Sequence, residues 1–241
     1  MTVTRNRIEK NLGVIRENIE AACERSSGEP QQVGIVAVTK SIGMDEIKSL
    51  VDIGLCELGE SRVKQLTERA VEVAAYLQRR RTPPPAPVRW HMVGHLQRNK
   101  VKPVLEAAEV IHSVDSLRLA EEINARAERA GRVVDVMLQV NCSEEPQKSG
   151  CAVGAASHLG ELISTLRHVR LTGLMTMAPL VRNPEHARPT FVRLRELFHE
   201  MLGQKTGGEH FRHMSMGMSQ DYTVAVEEGA TILRIGRALF E

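Results

Sequence analysis

The sequence predicts an α/β protein, a single-domain (β/α)8 TIM barrel over residues 1–241 with an additional N-terminal helix. Three observations point there. Eight short strand-like runs, most of them rich in β-branched residues, follow one another along the chain. Amphipathic helical stripes lie between them, and a length of 241 residues matches the ~250 typical of such barrels. An open doubly wound sheet is the second reading, because strand runs alone do not say whether a sheet closes.

The first element is a helix with Ile8, Leu12, Ile15 and Ile19 on one face. It precedes strand one, whereas only "RALFE" follows strand eight, so it is placed to cover the barrel wall where an eighth crossover helix is missing. Strand one is "GIVAVT" (34–39), and the helix after it carries Ile47, Leu50 and Val51 before Gly54 supplies a stop. Strand two, "LCELG" (55–59), leads into a stripe of Val63, Leu66, Ala70, Val73, Ala74 and Leu77. The segment "QRRRTPPPAPVR" (78–89) is a loop, since Pro83, Pro84, Pro85 and Pro87 forbid helix or central strand. Its three arginines complement a helix C-terminus and stay solvated. Strands three to five are "RWHMVG" (89–94), "EVIHSV" (109–114) and "VVDVMLQV" (133–140). A stripe of Leu159, Leu162, Ile163 and Leu166 precedes strand six, "RLTGLMTM" (170–177). Phe191, Leu194, Phe198, Met201 and Leu202 form the next, ahead of "HFRHMSMG" (210–217) and "TILRIG" (231–236).

Composition narrows the function. With 42% hydrophobic and 26% charged residues the chain can bury a sizeable core. Thirty-two basic residues against thirty acidic ones give no general pull toward nucleic acid or anionic membrane, so any anion must be held locally. No apolar run reaches the roughly 18 to 20 residues of a membrane span, and the charged N-terminus is no signal peptide. A cytoplasmic location follows as the default. Cys23, Cys56, Cys142 and Cys151 form no CxxC pair, which suits a reducing compartment, and Cys142 reads as an inert, half-buried thiol. Polar outer helix faces predict a monomer.

In such barrels chemistry collects at the C-terminal strand ends. There the sequence sets Lys40, Glu60 with Ser61, His95, Ser113 with Asp115, Asn141 with Ser143, Thr176, Ser215 with Gly217, and Arg234 with Gly236. At an apolar barrel mouth, desolvation would lower the Lys40 pKa toward the range where a neutral amine attacks carbonyls. The alternative is a lysine that snorkels to water or pairs with Glu60, and position alone leaves the two even. "SMGMSQD" (215–221) puts Ser215 and Gly217 ahead of a helix with Ser219 as its N-cap, and "RIGRA" (234–238) puts Gly236 at a close approach. Adjacent turns after strands seven and eight form the recurrent phosphate site of this class. Strand alternation then turns Ile232, Arg234 and Gly236 to one face, aiming a guanidinium at the mouth. Amine, phosphate cradle and arginine together suggest pyridoxal 5′-phosphate. A zinc site at His91, His95 and His112 is discounted, because the HxxxH pair spans a strand and its loop rather than a helix.

Seven collinear stretches, "VAVTK", "LGESRVKQL", "RWHMVGHLQRNK", "HSVDS", "LQVNCSEEPQKSG", "LTGLMTMAP" and "HMSMGMSQDYTVAVEEGATILRIG", carry a resemblance over essentially the whole chain. It resembles the pyridoxal phosphate homeostasis proteins, a family similar to the N-terminal barrel of alanine racemase. The resemblance implies that Lys40 holds the cofactor as a Schiff base. It also implies that Ser215, Met216 and Gly217 with the backbone at Gly236 and Arg237 hold the phosphate, and that Arg234 approaches the pyridine nitrogen. An arginine there leaves that nitrogen largely unprotonated and the cofactor a poor electron sink, so a non-catalytic carrier or buffer is expected, with pyridoxal-phosphate-dependent apo-enzymes as recipients. Two departures stand out. Ser61 stands where the family often has Asn, and Arg237 where many members have Thr.

The alternative is a pyridoxal-phosphate-dependent racemase or lyase of fold type III, its missing acid coming from Cys142, His95 or a partner chain. Against it, alanine racemases add a β-rich domain after the barrel that supplies a catalytic tyrosine, whereas Tyr76 and Tyr222 both read as helix residues. A phosphate-sugar enzyme using Lys40 as nucleophile is the third reading.

Overall fold

A computed structural model describes residues 3–26 and 33–241. Its eight strands are β1 (Gly34–Val38), β2 (Glu57–Glu60), β3 (Arg89–Met92), β4 (Val110–Val114), β5 (Val134–Gln139), β6 (Val169–Met175), β7 (His213–Ser215) and β8 (Ile232–Ile235). They pair in parallel and in chain order, and β8 returns to β1 with Gly34 opposite Ile232 and Ala37 opposite Ile235. That last pairing closes the barrel and removes the open-sheet reading.

Nine α-helical segments occur among the described residues: α1 (Arg5–Arg25), α2 (Met44–Asp52), α3 (Val63–Gln78), α4 (Val101–Leu105), α5 (Leu117–Arg129), α6 (Val153–Ser164), α7 (Arg188–Gly203), α8 (Tyr222–Glu227) and α9 (Arg237–Phe240). The N-terminal helix buries Ile8, Leu12, Ile15, Ile19 and Ala22 against α8, α9 and α2. Burying such side chains is worth roughly 1.5 to 3 kcal/mol for each large one. Polar links fix its register. Asn11 donates to the Leu239 carbonyl at 3.0 Å and Asn18 to the Tyr222 hydroxyl at 2.8 Å. Helix α1 therefore covers the wall that α9, four residues long, cannot.

Three local expectations need correction. Strand β7 is only His213–Ser215, because His210 lies in a 3-10 turn and the chain bends at Gly217, whose φ is +91°. A Cβ on Gly217 would stand 2.6 Å from that of Ala225, so only glycine lets this turn lie against α8. Ser219 does not cap α8, which begins at Tyr222 after Asp221. Leu202 falls off the α7 core face and is 43% exposed, while Leu197 takes a buried place.

The barrel interior is divided. Val110, Met137 and Met175 form a small apolar cluster, and His91, His112, Ser215 and Arg234 are buried beside them. A bulge between β5 and β6 changes which β6 residues face inward, since Val136 pairs with Leu171 but Met137 with Gly173. Thr176 thereby turns its hydroxyl to the Val140 carbonyl at 2.8 Å instead of to the mouth.

At the end of β2, Glu60 is fully buried and satisfied by Arg69 of α3, by the Thr39 hydroxyl at 2.6 Å and by the Ser61 amide at 3.2 Å. Arg69 also donates to the Thr39 and Ile42 carbonyls, each at 2.6 Å, tying the β1–α2 turn to α3. Removing one partner of such a pair strands a buried charge. Substituting Arg69→Met is expected to cost about 3 kcal/mol in urea unfolding; a change under about 1 kcal/mol would mean that the pair does not hold this turn.

Candidate functional site

Lys40 is the second residue after β1, which ends at Val38, and it is exposed in a cavity of about 340 Å³ at the C-terminal mouth. That volume falls in the ~300 to 1,000 Å³ range of small-molecule sites. The expected desolvation of Lys40 does not hold, since its side chain stays open to solvent. Neither does the expected pairing with Glu60, whose carboxylate is taken by Arg69 and Thr39. Among the described residues Lys40 has no ion-pair partner, which leaves its amine available to the cavity.

Opposite Lys40 stand the turns after β7 and β8. Ser219, Gly236, Arg237 and Arg234 line the same cavity. The Ser219 hydroxyl oxygen accepts from the Gly236 amide at 3.2 Å and from the Ala238 amide at 3.1 Å. Two backbone donors and one hydroxyl thus converge at one point. Arg237 adds a mobile charge at the rim, where its guanidinium donates to Gln220 Oε1 at 3.0 Å. The Gln220 Nε2 beside it has no partner.

Arg234 is 4% exposed. It donates through Nη1 to the Ser215 hydroxyl at 2.7 Å and through Nη2 to the Thr176 carbonyl at 2.8 Å. Burial pulls its pKa down to about 10, with the nearby Asp221 opposing, so it remains a cation at neutral pH. Asp221 is itself fully buried, its pKa raised by burial, and accepts from the Met218 amide at 2.6 Å.

Lys40, Arg234, Gly236 and Arg237 line the cavity together, whereas Ser215, Met216 and Gly217 do not. Ser215 is paired with Ile232, two residues below Arg234, so its hydroxyl lies a layer beneath the mouth. Met216 is buried in the hydrophobic core and its amide is spent on the Ile232 carbonyl. The Gly217 carbonyl accepts from the Arg234 amide. Ser219 occupies the place expected of Ser215; in the sequence it reads equally well as a helix cap, and only the meeting of the two turns tells the roles apart. Ser61 lines the cavity where the first departure falls, and so does His95, on the rim 3.7 Å from Asp115. Gly94 lets the β3 loop pass Ser61, because a Cβ there would sit 2.2 Å from the Ser61 carbonyl.

Other acid candidates stand away from the cavity. Cys142 is buried and its thiol pKa is pushed up to about 11. The Tyr76 hydroxyl donates to Asp52 at 2.7 Å, and that of Tyr222 receives Asn18. Neither tyrosine lines the cavity. Among the described residues no cluster of three or more His, Cys, Asp or Glu has the arrangement of a metal site; His91 and His112 instead bond to each other at 2.8 Å.

With this geometry in hand, the alanine racemase N-terminal domain family matches residues 11–241. A pyridoxal phosphate homeostasis protein of Aquifex aeolicus is 37% identical over 231 residues, covering 96% of each chain. Its counterpart in Pseudomonas aeruginosa is 33% identical over 97% of this chain and 94% of its own. The chain belongs to the pyridoxal phosphate homeostasis protein family. A solved family structure, PipY of Synechococcus elongatus with pyridoxal phosphate bound, superposes with a TM-score of 0.80 at 29% identity over 97% of this chain and all of that one. An alanine racemase of Clostridium difficile shares the fold at a TM-score of 0.73 and 14% identity; the match covers 99% of this chain and only 57% of the racemase.

Acid titration gives a test of the buried polar interior. Burial, reinforced by the charge of Arg234, holds His112 well below its ordinary value of 6.5, and burial with Arg212 lowers His213. Unfolded histidines bind protons below about pH 6.5 that these two refuse when folded, so the unfolded state gains stability as pH falls. The urea midpoint is expected to drop between about pH 7.5 and 5.5, and His112→Gln is expected to shrink that drop. An unchanged pH dependence in the variant would show that His112 titrates freely in the fold.

Proposed function

We propose that this protein binds pyridoxal 5′-phosphate covalently through Lys40 and acts in intracellular cofactor homeostasis, holding the cofactor as a carrier or buffer. One observation carries the reading: the unpaired Lys40 amine, the Ser219 hydroxyl with the Gly236–Arg237 turn, and Arg234 line a single cavity. The residues fit the group. Its aldehyde, when bound, supplies the carbonyl that the lysine amine takes. The Ser219 oxygen takes the amides of Gly236 and Ala238, which leaves its hydroxyl hydrogen to donate to a phosphate, and Arg237 adds charge in place of the hydroxyl common in the family. The unpartnered Gln220 Nε2 is a further donor at the same edge.

Arg234 sets what the bound state can do. A guanidinium donates and does not accept, so it leaves a facing pyridine nitrogen unprotonated and the ring a weak sink for electrons. Retention without turnover suits a protein that stores a reactive aldehyde and releases it. Recipients would be apo-enzymes that use the cofactor, and a monomer in the cytoplasm is the form in which we expect it to act. No described helix is long and apolar enough to cross a membrane.

Added pyridoxal phosphate is expected to give the purified protein a near-visible absorption band, and borohydride reduction to fix one cofactor mass on Lys40. Lys40→Ala should fold and lose both signals. Absence of the band, or a label on another lysine, contradicts the reading. Ser219→Ala is expected to weaken binding by about tenfold or more, the loss of a hydrogen bond to a charged group. Arg237→Ala should weaken it less and in a salt-dependent way, because that charge is exposed. An equilibrium titration of the absorption band measures both.

A further inference from the structure

A chain of buried polar side chains runs through the barrel from one mouth to the other. Glu57 Oε2 lies 2.5 Å from His91 Nε2, and His91 Nδ1 lies 2.8 Å from His112 Nε2. His112 Nδ1 is 2.9 Å from the Ser215 hydroxyl, which receives Arg234 at 2.7 Å. Five strands, β2, β3, β4, β7 and β8, contribute one residue each. His91, His112 and Ser215 are at most 3% exposed. Glu57 opens the series at the N-terminal mouth, in a cavity of about 440 Å³, and Arg234 ends it in the cavity of Lys40.

Hydrogen-bond inventory gives this chain a direction. Burial works against ionisation of Glu57, yet its bond to His91 and the charge of Arg89 hold its pKa below the ordinary carboxylate value. An ionised carboxylate only accepts, so His91 Nε2 carries a hydrogen and donates. In a neutral imidazole the other nitrogen then accepts, so His112 must donate from Nε2 and accept at Nδ1. Ser215 donates its hydroxyl hydrogen to His112 and offers a lone pair to Arg234. Every donor meets an acceptor. The opposite polarity would aim two N–H groups at the Ser215 oxygen and leave its own hydrogen without an acceptor among the described residues.

The ends of the chain are fixed independently. Arg89 reaches Glu57 at 3.5 Å and Asp135 at 3.9 Å, and Arg170 holds Asp135 at 2.5 Å, so the carboxylate anchor is locked at its mouth. At the other end the Thr176 carbonyl takes a second Arg234 hydrogen. Among the described residues no carboxylate lies within ion-pair distance of Arg234. A buried arginine is ordinarily steadied by direct contact with a carboxylate, which would also cancel its charge. Here three neutral groups stand between the guanidinium and the Glu57 carboxylate, so Arg234 is held in place with no carboxylate in direct contact, the charge of Asp221 acting on it only from beyond ion-pair distance. Arginine does not deprotonate, so the chain steadies and polarises rather than conducting protons to the cavity.

We propose that His112 is a positioning residue for Arg234: acting through Ser215 and anchored by His91 and Glu57, it holds the guanidinium against the cofactor ring and thereby sets how long the cofactor is retained. This rests on the cofactor reading above, and the test separates the two. In the cofactor-free protein, nitrogen NMR should show both His91 and His112 protonated at Nε2 and the Arg234 guanidinium hindered in rotation. Ser215→Ala, a small change expected to leave the barrel folded, should free that rotation. In the loaded protein, Ser215→Ala and His112→Leu should each shift the absorption band and speed cofactor release by about tenfold, as expected for a lost bond to a charged group. Combining them should add little, because both cut one chain. His112→Gln, whose amide can accept from Ser215 and donate to His91, should restore parental retention.

A proton on His112 Nδ1, or Ser215→Ala with parental Arg234 rotation, overturns the proposal. So do parental band position and release rate in the two cut variants. If the parent itself takes up no cofactor, the cofactor reading fails, and the NMR comparison decides on its own whether His112 positions Arg234.

Discussion

A cation buried inside a parallel barrel is the constraint around which this protein is arranged. Arg234 must be hydrogen-bonded to be tolerated at all, since an unpaired charge in that environment costs several kcal/mol. A carboxylate placed against it would meet the requirement but would neutralise the charge where the cavity needs it. The observed solution spreads the task over Ser215, His112, His91 and Glu57, with the negative charge at the far mouth. The small apolar cluster of Val110, Met137 and Met175 is buried along with these polar groups.

A second division of charge operates at the rim. Glu60 lies at the end of β2 close in space to the end of β1, and could have paired with Lys40. Arg69, reaching from α3, occupies it instead and binds the turn that carries Lys40. The amine is thereby left unpaired next to a rigid strand end. Across the mouth, Ser219 and the Gly236 and Ala238 amides meet because β7 is short and its turn packs closely on α8 through Gly217. Lysine and donor cluster are both held by neighbours that do not compete for the ligand.

Much of the fold was legible in the residues. Short runs between polar turns, most of them β-branched, marked the strands, because a buried parallel strand needs apolar side chains on both faces. Ile8, Leu12, Ile15 and Ile19 showed that a helix without a crossover partner had to be buried. Closure was less visible, since it rests on the β1–β8 pairing and no local signal encodes a pairing between the chain's two ends. Lys40, Arg234 and Gly236 were read from strand-end position, and Arg237 from the family resemblance. Ser215 was misplaced because alternation along a strand says which face a residue takes, not how deep it sits; the stagger of β7 against β8 sets it level with Ile232. The His91–His112 contact joins residues 21 apart whose meeting depends on barrel geometry, so the motif HxxxH pointed toward His95, which lies out on the rim.

The central claim is that the C-terminal mouth holds pyridoxal phosphate between Lys40 and the two turns, under Arg234. A crystal structure of the protein after incubation with the cofactor tests it most directly. Electron density continuous with Lys40 Nζ, a phosphate against the Ser219 hydroxyl and the Gly236–Arg237 turn, and a ring nitrogen facing Arg234 are predicted. Density at the opposite mouth among Arg89, Arg170 and His213, with Lys40 unmodified, would contradict the account.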